Sequence, residues 1–131
     1  MDSLNDANIP FDEHTCELFA RVIQQELLNV KVLFFIIQCV KQGQQVTVKS
    51  ITDNVITQRR KGIKDQENNL VGFSIIEGHI DRKTAEKVVD RLAYTTLINF
   101  EIKLPHKFIK LTTRGAQVAM KIHNQIGENL L

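Results

Sequence analysis

Asp81-Arg82-Lys83-Thr84-Ala85-Glu86-Lys87-Val88-Val89-Asp90-Arg91-Leu92-Ala93-Tyr94-Thr95-Thr96-Leu97 is the stretch on which the fold turns. Asp81 predicts an N-cap, because its carboxylate can accept from the free backbone N–H groups of a first helical turn. Ala85, Val88, Val89 and Leu92 then recur at i, i+3, i+4 and i+7, the spacing of one apolar stripe on a helix. The other face carries Arg82, Lys83, Lys87, Arg91 and Tyr94, with Glu86 and Asp90 between them. One side suits a core, and the other offers long cationic donors to a polyanion.

Upstream of this stretch the chain reads as helical. Residues 1–11 are polar, contain Pro10 and read as a flexible N-terminus, leaving 12–131 as one domain. Cys16, Phe19, Ala20, Ile23 and Leu27 make one stripe of a first helix from Asp12 to about Leu28. Asn29 is placed as the cap of a second helix, 30–42, which is apolar nearly all round and so central to the core, with Gly43 at its end. Residues 44–46 suit a short strand. Thr47 caps a third helix whose inner stripe is Val48, Ile51 and Val55, and which runs on through Arg59-Arg60-Lys61 to Gly62. Residues 62–80 read as an insertion partly packed on the core.

Downstream, Ile98-Asn99-Phe100-Glu101-Ile102 alternates as a strand does, Leu104-Pro105-His106-Lys107 is a turn, and Phe108-Ile109-Lys110-Leu111 returns. Thr113 is placed as the cap of a last helix, 114–129, with Val118, Ala119, Ile122 and Ile126 on one stripe. The expected class is mainly α with a small β-hairpin at about 98–111.

The net charge of +2 is too small to argue for a partner, but its distribution is uneven. Residues 1–30 hold six acids against Arg21 alone, whereas residues 57–110 hold eleven Lys or Arg against seven acids. A basic middle behind an acidic start fits a chain with one face turned to phosphate. Cys16 and Cys39 lie on apolar helical faces, so they read as buried free thiols of a reducing compartment, and a cytoplasmic location is expected. Val30 to Val40, the richest apolar run, is too short and too interrupted to span a membrane. His14, His79, His106 and His123 lack ligand spacing within any one helix, and no phosphate loop or nucleophile motif is present. Neither a metal, a cofactor nor an enzymatic activity is expected.

The order helix, helix, short strand, helix, helix, hairpin, helix resembles the winged helix-turn-helix superfamily, and within it the MarR-like bacterial regulators. Three stretches carry the resemblance: Val46-Thr47-Val48-Lys49-Ser50-Ile51-Thr52, the run Val88-Val89-Asp90-Arg91-Leu92 within Ile80–Leu92, and Leu111-Thr112-Thr113-Arg114-Gly115 after the hairpin. Two departures stand out. About twenty extra residues separate the two motif helices, and Thr96-Leu97-Ile98 stands where the family has Gly-Leu-Ile.

The resemblance implies a sequence-specific binder of double-stranded DNA, acting as a dimeric transcriptional regulator, most simply a repressor. Residues 81–94 would enter the major groove, with Arg82, Lys83, Thr84 and Lys87 nearest the bases. Arg91 and Tyr94, the hairpin residues Lys103, His106 and Lys107, and Lys49, Arg59 and Arg60 would meet phosphate. The first and last helices are the expected dimer surface. A close variant with the same chemistry is a centromere-binding adaptor in plasmid or phage partition, recruiting a filament-forming NTPase. A third reading, from another class, is a winged helix used only for protein contact, its charges merely solvated. Arg59-Arg60-Lys61 with Lys64 serves equally well as a phosphate clamp or as cations complementing a helix C-terminus.

Overall fold

The computed structural model describes residues 8–126. Five helices and two antiparallel two-stranded hairpins follow in the order α1 (Glu13–Gln24), α2 (Leu27–Lys41), α3 (Val48–Asn54), β1 (Ile56–Lys64), β2 (Leu70–His79), α4 (Arg82–Tyr94), β3 (Ile98–Lys103), β4 (His106–Leu111) and α5 (Thr113–Ile126). The class is mixed α and β. Residues 1–7 of the expected loose N-terminus, and 127–129 of the expected last helix, lie outside the described residues.

Helix α2 is the centre, as its composition predicts. Val32, Leu33 and Ile36 have no exposed surface, and each such burial contributes roughly 2 kcal/mol. Its start differs from expectation. The helix begins at Leu27, and Asn29 lies buried inside it instead of capping it. The Asn29 side-chain amide donates to Ile23 O, and its carbonyl accepts from Arg91 Nη1 at 3.0 Å, so its polar atoms hold three helices together.

Helices α1 and α5 pack on each other. Phe11 and Gln117 exchange two hydrogen bonds of 2.8 Å between backbone and side-chain amide, and Lys121 reaches Glu17 at 3.3 Å. The stripes Cys16, Ala20 and Ile23 on α1 and Val118, Ala119 and Ile122 on α5 are buried within the one chain. These stripes are used within the one chain, and the apolar surface the two helices leave exposed is Leu18 and Val22 on α1 and Met120 on α5. Both cysteines are free and buried, and burial pushes both thiols up.

The third helix is much shorter than its polar continuation suggests. Thr47 and Ser50 form a capping box at its start, but it stops at Asn54, and Val55 is already extended. The β-branched pair Ile56-Thr57 then opens a strand, so Arg59, Arg60 and Lys61 stand on β1 and not on a helix C-terminus. The expected insertion is the other half of the same hairpin. Ile56 pairs with His79, Arg60 with Ile75 and Gly62 with Phe73. Asp65 closes the tip by accepting from the backbone N–H of both Glu67 and Asn69 at 2.9 Å, and Asn68 takes φ +67°.

The second hairpin lies where the alternation puts it, and it is rooted in the core. Ile98 and Ile109 are buried, and Ile109 N–H donates to Val46 O at 2.8 Å, so the expected strand at 44–46 shrinks to one bridging residue. The cap of α5 is Thr112 rather than Thr113. Its hydroxyl accepts from Gly115 N–H at 3.0 Å and donates to Thr96 O at 2.7 Å. This explains why glycine stands at position 115: a Cβ there would lie 2.0 Å from Leu97 O. The Leu-Thr-x-x-Gly pattern is thus a cap joined to a close backbone crossing.

Helices α2 and α4 end in the same way, with different residues. After α2, Gly43 at φ +71° lets Gln44 N–H reach Cys39 O and Gly43 N–H reach Val40 O. After α4, Thr96 at φ +66° performs the same turn, with Leu97 N–H to Leu92 O and Thr96 N–H to Ala93 O. A β-branched residue at positive φ is sterically costly. Here it is held by Arg114 Nη1, which donates to Thr96 Oγ1 at 3.2 Å, and by Thr112 on its carbonyl.

Candidate nucleic-acid interface

Helix α4 is built as its periodicity requires. Asp81 caps it by accepting from Thr84 N–H at 2.7 Å. That bond and the Thr84 hydroxyl hold the Asp81 carboxyl below its ordinary range, with Arg59 and Lys83 adding a smaller electrostatic effect. Ala85, Val88, Val89 and Leu92 are buried, and Arg82, Lys83, Glu86, Lys87, Asp90 and Tyr94 face solvent. Tyr94 is 89% exposed, which leaves its ring and hydroxyl open on the last turn.

The cations on this helix differ in what already holds them. Arg82 Nε pairs with Glu86 at 2.9 Å along the helix, both side chains well exposed, a pairing too weak to prevent exchange for phosphate. Arg91 turns toward α2, meeting Glu26 at 2.7 Å and the Asn29 carbonyl. It is a joint between helices more than an outward cation, against the expectation from its place on the helix. Thr84 is half-buried at the cap. Among the described residues, Lys83 and Lys87 make no ion pair, and they are one turn apart on the exposed side.

Two hairpins flank α4 in the chain. On β3–β4, Lys103 and His106 face each other across the tip. Lys103 and Lys110 both reach Glu101, at 3.0 and 3.2 Å, and these two contacts hold the Glu101 carboxyl below its ordinary range. Lys107 lies on the other face, its ammonium 4.0 Å from the Phe100 ring centre. The hairpin's lysines are therefore pre-positioned, each with a local partner that water or phosphate can replace. Lys49, on α3, pairs with Asp53 at 3.0 Å and is well exposed.

On β1–β2 the register sorts side chains onto two faces. Arg59 and Lys61 share one face with Ser74, Ile76, Gly72 and Gly78. The Arg59 guanidinium crosses Gly78, and its charge acts on Asp81, so it sits beside the start of α4. Arg60 is on the opposite face, 5.7 Å from the Phe73 ring centre. The expected pair Arg59-Arg60 is thus split: Arg59 joins the α4 cations and Arg60 does not. Lys61, which the sequence offers only as part of an Arg59-Arg60-Lys61 clamp, joins Arg59 on one face without Arg60, because the strand has a period of two. The signal for that period was present in the apolar run Leu70–Ile76 behind Asn68-Asn69, which reads as a hairpin's turn and returning strand.

The chain matches no protein-family model, no curated protein and no solved structure.

Proposed function

We propose that this protein binds double-stranded DNA as a winged helix-turn-helix module, with α4 in the major groove and the β3–β4 hairpin as the wing on the flanking backbone. The observation that carries the reading is the division of α4: an apolar stripe seated in the core, and Lys83 and Lys87 directed outward without ion-pair partners. The sequence Leu97 to Gly115 supports it, since the capped crossing at Thr112 and Gly115 fixes the second hairpin to the end of α4. Arg82, Lys83, Thr84 and Lys87 are assigned to the groove. Lys103, His106 and Lys107 on the wing, with Tyr94, Arg59, Lys61 and Lys49, are assigned to the backbone. The biological role that follows is transcriptional regulation by a dimer, most simply repression.

Binding of the chain to its own upstream region, followed by fluorescence anisotropy at two salt concentrations, tests this. Each phosphate neutralised steepens the fall of log affinity with log salt by about 0.9. Lys87→Ala should cost about 1–3 kcal/mol and relax preference at one base pair if the ammonium reads a base edge. A uniform loss with a shallower salt slope would assign Lys87 to phosphate instead. A second reading, protein contact only, is favoured by the exposed Phe73 and Ile75 on β2. It prevails if no DNA is bound at low salt.

A further inference from the structure

The tip of the β3–β4 hairpin is led by apolar groups and not by its lysines. Lys103 pairs with His106, so the turn between the strands is Leu104 and Pro105 alone. Leu104 is 90% exposed, and Ile102 just behind it is 66% exposed. The basic side chains around them all lean toward the root. Lys103 Nζ reaches back to Glu101 at 3.0 Å, and the His106 ring lies 5.8 Å from that of Phe108. The Lys107 ammonium lies over Phe100, whose partner across the ladder is Ile109. Each lean covers two residues, about 7 Å along a strand. A single exposed leucine is ordinary on a protein surface. This one holds a position where hairpin turns favour Asn, Asp or Gly, and it stands forward of a ring of cations. The β1–β2 tip is built the other way, with Asp65 and Glu67 at its turn and Asp65 accepting the backbone bonds that close it. Of the two tips, the one at Leu104 can approach a polyanion without repulsion.

We infer that Leu104, with Pro105 beside it, is a wedge that enters the minor groove of duplex DNA and parts one base step. The inference rests on the DNA reading above and goes beyond it, since that reading places this hairpin on the backbone alone. Depth is the first support. The minor groove is about 7.5 Å deep, so a tip that leads its cations by about 7 Å reaches the base edges as Lys103 and Lys107 come level with the phosphates. Charge is the second. Glu101 is the one acid between Ile98 and Leu111, and Lys103 and Lys110 already hold it at 3.0 and 3.2 Å. Width is the third. Two strands about 4.8 Å apart, with their side chains, overfill a groove about 6 Å wide, so the groove must open. An apolar wedge opens it by unstacking a step and bending the duplex toward the major groove. The hairpin can bear that load because Ile98 and Ile109 fix its root in the core. Bending is easiest at pyrimidine–purine steps such as TA, so the wedge selects a flexible step without hydrogen-bonding to it.

The test uses the shortest duplex that the full chain protects in its own upstream region, with donor and acceptor dyes at the two ends. Energy transfer should rise when the native chain binds, as a kink of about 20–90° brings the ends together. Leu104→Ser alters an exposed position, so it should retain the native circular dichroism spectrum. It should leave the DNA straight and bind about 10-fold more weakly. Its salt slope should match that of the native chain, because every cation is kept. Leu104→Met supplies another wedge and should restore both bend and affinity. A native complex with straight DNA, a Leu104→Ser complex bent like the native one, or a Leu104→Ser loss that comes with a shallower salt slope would each overturn the inference. Straight DNA in the native complex removes the wedge and leaves the DNA reading standing. No binding of any duplex at low salt removes both.

Discussion

The two hairpins are made of similar parts and held in different ways. Strands β3 and β4 send Ile98 and Ile109 into the core, borrow a backbone bond from Val46, and are locked to the end of α4 through Thr112 and Thr96. Strands β1 and β2 are tied down only near their root, where Val55 and Ile80 are buried and Ile80 N–H donates to Val55 O at 3.3 Å. Beyond that point no residue of the ribbon is buried. Their cations differ to match. Lysines of the rooted hairpin rest on Glu101 and Phe100, whereas Arg59 and Lys61 of the projecting one have no acid across the ladder, and Arg59 lies beside Asp81 at the start of α4. A rooted hairpin is a fixed part of the fold. A projecting one is held by its own ladder and by its root alone.

The sharpest way to break this contrast is to cut side chains at matched places. Ile98→Ala should cost about 4 kcal/mol in urea unfolding, because it leaves a cavity in the core, whereas Ile75→Ala in dilute protein should stay within about 0.5 kcal/mol. Equal costs would mean that the first hairpin is packed within the monomer after all. Next in size is Gly115→Ala. Its new methyl group meets the Leu97 carbonyl, so thermal unfolding should report a loss of about 2–3 kcal/mol, with the hairpin junction's amide protection falling first.

A smaller effect, of opposite sign, is expected at the turn into the rooted hairpin. Thr96→Gly relieves a β-branched residue held at positive φ and should raise stability by about 1 kcal/mol, less whatever the Arg114 hydrogen bond contributes. Destabilisation on denaturant melting would show that Arg114 outweighs the strain. The smallest concerns Glu101. Since Lys103 and Lys110 lower its pKa in the folded state, its contribution is present above the ordinary glutamate range and is lost as pH falls through the lowered value. Carboxyl NMR titration should place the Glu101 midpoint below that of a variant with Lys103 and Lys110 both changed to Ala. Coincident midpoints would show that those lysines are released in solution.

How much of this could be read without coordinates depends on the range of the forces involved. Residues 81–94 are legible because a cap at Asp81 and an i, i+3, i+4, i+7 stripe are local facts. The hairpin at 98–111 is legible because alternation over 98–102, a turn at 104–107 and a returning run at 108–111 are local as well. The stretch 55–64 misleads. Polar and basic side chains there are compatible with either period, and Gly62 resembles a helix stop as readily as a mid-strand residue opposite Phe73. Its conformation is settled by β2, six to twenty-three residues away, through a ladder of backbone bonds. Arg91 misleads for a related reason: its helical position points outward on a wheel, and only the packing of α2 beside α4 brings Glu26 and Asn29 within its reach.

Taken alone, the amino-acid order determined the caps at Thr47 and Asp81, the apolar stripes of the first, second, fourth and last helices, and that a cation-bearing helix precedes a lysine-bearing hairpin, because these follow from neighbours within about four residues. Packing in three dimensions decided the rest. It paired β1 with β2, separated Arg59 from Arg60 onto opposite faces, buried the stripes of α1 and α5 against each other, and left Phe73, Ile75 and a hollow beside Ile56 uncovered. Those outcomes turn on which distant surfaces exclude water from one another, and no local pattern of residues encodes that choice.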